Sequence, residues 1–274
     1  MATAITAREF KLLLKPELFP TKQSVLEFND RLVKLAKDAG VQYDRFDRVD
    51  SEMRSVQFFD TEDSVFRNNR VILRLRRDLS SGWPDQSFEV TFKRRSPDFH
   101  ESADFDIDST MKEINNSKKF KEEIIRGDAP NSIKSIFSNN LIGNYPVVKF
   151  ERPMSELQGI FPGLKTLGLD SSQMVSAVHG ERVVEVGVRL GMFSFGKNTA
   201  AHCDLAVWTR PVQDTFAVLV AEFGWSYHMR GDGGKQHKAH DAADKFFKAL
   251  QTPFAEDLFK GSTKTALIYG VDEV

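Results

Sequence analysis

The chain repeatedly places charge on every second residue of short apolar runs. In VILRLRR, Val71 to Arg77, Arg74 and Arg76 fall on one side of an extended chain, and Leu73 and Leu75 fall on the other. In FEVTFKRR, Phe88 to Arg95, the residues Glu89, Thr91, Lys93 and Arg95 oppose Val90 and Phe92. Between Arg182 and Leu190, Glu185 and Arg189 oppose Val184, Val186 and Val188. REFKLLLK, Arg8 to Lys15, sets Glu9, Lys11, Leu13 and Lys15 against Phe10, Leu12 and Leu14. Two arrangements satisfy this spacing. One is a sandwich whose outer face is wet, as in many antiparallel sheets. The other is a barrel with its polar face inward, where two cations about 6 Å apart at an effective dielectric of about 20 repel by roughly 3 kcal/mol. Such a lining calls for an anion. A linear triphosphate, with about four negative charges at neutral pH, suits arginine forks and lysine point charges better than a carboxylate does. Carboxylates on the same lining would hold Mg²⁺ or Mn²⁺, which bridges phosphate oxygens and polarises phosphorus for attack by water.

These faces need strands to carry them. Period-2 runs predict strands at Arg8 to Lys15, Ser55 to Asp60, Val71 to Arg77, Phe88 to Arg95, Pro146 to Arg152, Arg182 to Leu190, His202 to Thr209 and Phe216 to Tyr227. From Thr21 to Gly40 the spacing of Val25, Phe28, Leu32 and Ala36 is helical, with Thr21 as a cap and Gly40 as a stop. A last helix is expected from Ala239 to Leu250, where Ala243, Phe246, Phe247 and Leu250 share a face. Between Pro97 and Asn144 the pattern changes. Asp104, Asp106 and Asp108 precede lysine-rich stretches, which read as a short strand and then helices near Lys112 to Ile125 and Ser132 to Leu141. The sum is an α+β chain: a closed or nearly closed antiparallel β-barrel of about eight strands with flanking helices. No internal repeat, low-complexity tract or linker interrupts residues 1–274, so they read as a single domain.

Composition removes other classes. A formal net charge of −1 with 28% charged residues gives no global basic field, so no nucleic-acid partner is expected. No apolar run approaches the roughly 20 residues that span a bilayer, and no membrane partner is expected. Cys203 has no second cysteine to pair with, and MATAITAREF has neither a basic n-region nor an apolar h-region. A soluble protein of a reducing, cytoplasmic compartment is the expectation.

The run FFDTEDSVFRNNRVILRLRR, Phe58 to Arg77, resembles a stretch of the CYTH, or triphosphate tunnel, family: an aromatic residue, Asp-Thr, a short helical turn and a strand of the form LRLRR. Thr91-Phe92-Lys93 is similar to the family's Thr-Leu-Lys strand, and Lys149 with Arg152 to a later basic strand. Asp204 in HCDLAV resembles the family's late aspartate, and Glu222 in VAEFGW a metal-binding glutamate strand. The resemblance covers most of the chain and implies a tunnel fold with a triphosphate-containing small molecule as partner. It implies that Lys11, Arg74, Arg76, Lys93, Lys149, Arg152 and Arg189 hold phosphates, with Lys11, Arg74 and Arg76 at the reacting group. Glu9, Asp204 and Glu222 are implied as ligands of Mg²⁺ or Mn²⁺. The activity implied is metal-dependent hydrolysis of inorganic triphosphate or a small organic triphosphate, with water as nucleophile.

Departures from the family pattern bear on that activity. The family's first strand reads Glu-x-Glu-x-Lys, whereas Ala7, Glu9 and Lys11 stand here, and Glu222-Phe223-Gly224 lacks a second glutamate. Lost carboxylates weaken affinity for hard divalent ions more than they weaken phosphate binding. A binding module that has kept the basic tunnel but lost efficient catalysis is therefore an alternative. A cyclase that closes ATP to cyclic AMP is a third reading, for which the sequence offers no adenine pocket.

Other features read more plainly. Gly231-Asp232-Gly233-Gly234-Lys235 has Met229 and Gln236 where a phosphate loop needs glycine and a hydroxyl, so a turn is expected. His237, His240 and Asp241 suit the start of a helix. Cys203 shares a strand face with Leu205 and Val207, which predicts burial, and Lys118 to Lys121 are expected on the solvated face of a helix.

Overall fold

The computed structural model describes residues 4–48, 50–80, 82–83, 85–112, 115–146, 148–196, 199–212, 215–229, 236–260 and 263–270. In chain order the elements are β1 (Ala7–Leu14), α1 (Lys22–Asp38), β2 (Gln42–Arg45), β3 (Ser51–Thr61), α2 (Val65–Asn68), β4 (Val71–Asp78), β5 (Phe88–Ser96) and α3 (Phe99–Ala103). They continue with β6 (Asn115–Arg126), β7 (Ile133–Tyr145), β8 (Arg152–Pro153), α4 (Met154–Ile160), β9 (Met174–Ala177), β10 (Val183–Ser194), β11 (Ala200–Val212), β12 (Thr215–His228), α5 (His237–Gln251) and α6 (Lys264–Ile268).

Among the described residues one sheet contains every strand, in the order β2-β10-β11-β12-β1-β6-β7-β5-β4-β3-β9-β8, and an added pairing of β10 with β3 closes it into a ring of nine strands. Strand directions cannot alternate all the way round a ring with an odd number of members. One neighbouring pair must run parallel, and it is β1 with β6, in the register Ala7↔Lys121, Glu9↔Glu123, Lys11↔Ile125. The remaining ring pairs are antiparallel. Strand β10 serves two neighbours along its length, with Val183 to Val188 on β3 and Gly191 to Ser194 on β2.

The outward residues of the ring are covered by helices. Helix α1 starts on a reciprocal cap, Thr21 Oγ1 accepting from the Ser24 amide and Ser24 Oγ from the Thr21 amide, and stops at Gly40, whose φ is +68°. Phe28 and Leu32 of α1 and Phe246 and Phe247 of α5 pack on Phe10, Phe223 and Trp225 of β1 and β12. A second apolar layer places Met154 and Leu157 of α4 with Leu73 and Phe92 of β4 and β5. The third layer lies inside the ring: Ile268 of α6 and the adjoining Tyr269 pack on the inward residues Val56, Phe58, Ile72 and Trp208. Tyr269 Oη donates to Asp60 at 2.8 Å, and Asp60 also accepts from the amides of Phe66 and Arg67 at the start of α2. The C-terminal segment thus stoppers one end of the ring. Among the described residues no helix is long and apolar enough to cross a membrane.

Several expected elements differ from those observed. Of the two segments expected to be helical, residues 115–125 and 133–141 lie in the long strands β6 and β7. The misreading has a geometric cause. Phe120 and Ile124 are four residues apart, as are Ile133, Phe137 and Leu141, and positions i and i+4 share a face on a strand as well as on a helix. Lysine and glutamate favour helix when a segment stands alone, and here ring pairing on both edges overrides that preference. Lys118 to Lys121 accordingly lie on a strand and point alternately out and in. The short strand expected at the aspartates is absent, with α3 and loop there instead, and among the described residues from Pro146 to Arg152 only Arg152 is in a strand. The ring has nine strands where about eight were expected, and one of its pairs is parallel.

Phe10 is fully buried and stacks on Trp225 at a centroid distance of 5.0 Å, so Phe10→Ala is expected to lower stability by roughly 3–5 kcal/mol. Urea unfolding followed by tryptophan fluorescence measures it.

Candidate functional site

Inward side chains of the ring make a charged lumen. Strand β4 contributes Arg74 and Arg76 between the outward Leu73 and Leu75, and they face Thr91 and Glu89 of β5 across the ladder. Further round, Lys93 and Arg95 come from β5, Lys121 and Glu123 from β6, Glu9 and Lys11 from β1, Glu222 from β12, Glu185 from β10 and Arg54 from β3. The lumen has two lobes of ≈ 910 Å³ and ≈ 670 Å³, which share Glu9, Lys11, Arg76, Glu222 and Lys264. Arg67, Arg70, Arg126 and Lys134 line the larger lobe; Arg48, Asp50, Glu52, Arg189 and Asp204 line the smaller.

Two carboxylates act as hubs. Glu123 takes Lys11 Nζ and Arg95 at 3.1 Å each and Lys93 Nζ at 3.8 Å. Glu185 takes Arg76 at 3.2 Å, Lys264 Nζ at 3.3 Å and Arg54 at 3.6 Å, and accepts a 2.7 Å hydrogen bond from Trp208 Nε1. Glu9 Oε2 lies 3.3 Å from both Lys11 and Lys121. Together Lys11, Arg54, Arg74, Arg76, Lys93, Arg95, Lys121 and Lys264 set eight cations against the five carboxylates Glu9, Glu89, Glu123, Glu185 and Glu222. The surplus is positive. The buried Nε–H groups of Arg74, Arg76 and Arg95 find no acceptor among the described residues.

Burial is the largest influence on these groups, and it opposes charge of either sign. It would lift the Glu9 carboxyl, but Lys11 and Lys121 outweigh it and hold that group at about 2. Against the same penalty, Lys11 and Arg95 keep Glu123 well below the usual carboxylate range, and Arg76 and Lys264 do so for Glu185. Lys11 is raised, since Glu123 and Glu9 more than offset its burial. Two cations go the other way. Arg74 has Thr91 Oγ1 at 2.9 Å but its nearest carboxylate, Glu89, only at 3.9 Å; burial and neighbouring Arg76 push it down to about 10. Lys93 is pushed down to about 7 by burial, with Arg95 and Lys11 adding to the effect and Glu123 opposing it.

Of the residues picked out by sequence, Glu9, Lys11, Arg74, Arg76, Lys93 and Glu222 meet in the lumen. Arg189 and Asp204 pair with each other at 3.6 Å at the more open end of the smaller lobe, their side chains 61% and 53% exposed. Lys149 and Arg152 do not join them. Lys149 is exposed on a loop, and Arg152 pairs with Glu156 on the outer edge of the sheet, because the expected strand that would have carried both inward is not formed. Cys203 is fully buried, as its strand face predicts. His237 and His240 open α5, and Gly231 to Lys235 lie outside the described residues. Sequence reasoning left out Arg54, Arg95, Lys121, Glu123, Glu185 and Lys264. Arg95 and Glu185 sat on polar faces already recognised, Lys121 and Glu123 were hidden by the helix reading, and Lys264 lies in a stretch with no periodic signal.

The implied metal ligands fit a divalent ion poorly. Glu9, Asp204 and Glu222 face one wall on β1, β11 and β12, yet each is ion-paired: Glu9 with lysines, Asp204 with Arg189 and Glu222 with Lys264. Among the described residues no three Asp, Glu, His or Cys side chains gather as metal ligands. Gly224 also has a structural reason. A Cβ there would lie 2.4 Å from the Phe10 carbonyl oxygen, so the close approach of β1 and β12 admits no side chain without a backbone shift.

No model of a known protein family matches the chain, and no curated protein matches it. Several solved structures align along nearly its whole length. One, from Bacillus halodurans, is described as a "putative adenylate cyclase"; it is 13% identical, with 97% of this chain and 98% of that one aligned and a TM-score of 0.40. A Hippeastrum protein, described as a "putative adenylyl cyclase" with a dominant triphosphatase activity, is 10% identical over 98% of each chain with a TM-score of 0.44. A third, from Vibrio parahaemolyticus and described like the first, is 14% identical over 97% of this chain and 99% of that one with a TM-score of 0.35. These are distant likenesses, and the functional reading rests on the lumen's own side chains.

Lys93 offers a direct check on the electrostatics. Its pKa near 7 in the folded chain, against about 10.4 unfolded, means that between those values the unfolded chain binds the extra proton. Its contribution therefore makes stability rise with pH across that window. Lys93→Met is expected to raise the urea midpoint at pH 7, with a smaller gain at pH 9. Equal gains at the two pH values would show that Lys93 does not titrate there.

Proposed function

We propose that the interior of the ring binds a linear triphosphate or a small molecule that carries one. The observation that supports this reading best is the state of Arg74 and Lys93, two buried cations that the lumen's carboxylates leave under-compensated and that burial has pushed down. A polyanion relieves both at once, with arginine forks giving paired N–H···O contacts and lysines acting as point charges. The buried, acceptor-free N–H groups of neighbouring arginines supply further donors. A single carboxylate ligand would leave most of the surplus charge unmet.

Hydrolysis of the bound triphosphate is the second reading. It has in its favour Glu222 and Asp204, inward carboxylates beside the cations, of which Asp204 is open to solvent and so placed to orient a water. Phosphate release from tripolyphosphate, ATP and thiamine triphosphate, measured in EDTA and with Mg²⁺ or Mn²⁺, chooses between binding alone and turnover.

Tripolyphosphate is expected to raise the melting temperature, since a ligand at 100-fold excess over its Kd adds about 2.7 kcal/mol to the folded state. An unchanged midpoint at saturating tripolyphosphate would sink the proposal. Arg74→Ala should weaken binding by about 1.5–3 kcal/mol, the range for hydrogen bonds to charged groups, without loss of stability in the free protein. Because bound polyanion raises the pKa of Lys93, binding takes up a proton, and calorimetric affinity should fall as pH rises from 7 to 9.

A further inference from the structure

The mismatch between the lumen and a divalent-ion site has a cause in the fold. Helix α6 enters the ring from one end, and its first residue, Lys264, reaches the junction of the two lobes. There Lys264 Nζ stands 3.1 Å from Glu222 Oε1 and 3.3 Å from Glu185 Oε2, with its ammonium 4.8 Å from the centroid of the Trp208 ring. Trp208 in turn fixes Glu185 through its Nε1–H. The Lys264 side chain is 11% exposed and that of Glu185 only 3%. Two carboxylates from neighbouring parts of the wall therefore converge on one nitrogen, in the position where a hard cation would otherwise bring them together.

We infer that Lys264 is a tethered cation that takes the place of a divalent ion between Glu185 and Glu222, so that the lumen receives its polyanion without metal. Without a cation between them, these two carboxylates would repel an entering phosphate chain and invite Mg²⁺ or Mn²⁺, whose affinity follows the charge and number of oxygen ligands. The ammonium offsets that charge and is held by the packing of Ile268 and Tyr269 inside the ring rather than by equilibrium with dissolved ions. Being part of the chain, it is present at any metal concentration. An ammonium has three donors, two of which meet Glu185 and Glu222. This inference deepens the triphosphate reading and rests on it only for the identity of the anion; exclusion of metal by Lys264 stands or falls separately.

The test titrates Mn²⁺ alone, without phosphate, against the wild-type chain and Lys264→Met, with free Mn²⁺ read by electron paramagnetic resonance. Wild type is expected to show no saturable site, Lys264→Met to gain one equivalent, and Lys264→Met with Glu222→Gln to lose it again. A wild-type Mn²⁺ site that Glu222→Gln abolishes, or a Lys264→Met variant folded by circular dichroism that gains none, overturns the inference. Should Lys264→Met not fold, calorimetry of wild type decides. Tripolyphosphate binding undiminished in EDTA supports a resident cation, and binding that appears only with Mg²⁺ or Mn²⁺ overturns it. If wild type binds tripolyphosphate under neither condition, the triphosphate reading fails, and the wild-type Mn²⁺ titration with Glu222→Gln still decides whether metal is excluded.

Discussion

The parallel contact of β1 with β6 is the constraint on which the lumen depends. An odd ring has to contain such a contact, and its place determines which charges become neighbours. Register puts Glu9 beside Glu123 and Ala7 beside Lys121, which would set two buried carboxylates against each other. Lys11 bridges them, at 3.3 Å and 3.1 Å, and Lys121 and Arg95 complete the compensation. The same register keeps Phe10 and Ile124 on the outer side, where α5 covers them. One pairing thus sorts apolar residues outward and builds half of the charged wall.

Across the lumen, β4 and β5 lack an equivalent hub. Arg74 has a threonine for its nearest partner and Lys93 shares Glu123 with two stronger competitors. Buried cations in this condition cost stability, and a chain selected for stability alone would replace them with apolar residues. Their presence beside the open lobes of the lumen fits the proposed ligand. It also puts the unsatisfied charge on one side and the compensated carboxylates on the other, so a bound anion is drawn toward the β4–β5 wall.

Much of the fold and half of the site were legible in the sequence, for separable reasons. Strands with one apolar and one charged face, such as β4 and β5, announce themselves by alternation, and α1 by its cap, its period and Gly40. What alternation cannot say is whether the charged face turns inward. That depends on ring closure by β3 and β10, a contact between residues more than a hundred positions apart. β6 and β7 were obscured because a spacing of four serves helix and strand alike, and with them went Lys121 and Glu123. Lys149 and Arg152 illustrate the opposite error, since two basic residues three positions apart in a plausible place carry no information about which side of the sheet they will reach. Lys264 was invisible because its role comes wholly from where Ile268 and Tyr269 anchor it.

The pairing of β1 with β12 sets a timetable for synthesis. About 200 residues separate these neighbours, so a ribosome adding roughly 5–20 residues per second leaves β1 without one of its edges for about 10–40 s. Its apolar face, with Phe10, Leu12 and Leu14, has to wait as long for Phe223 and Trp225. The parallel partner β6 emerges much earlier and can shield the other edge in the interval.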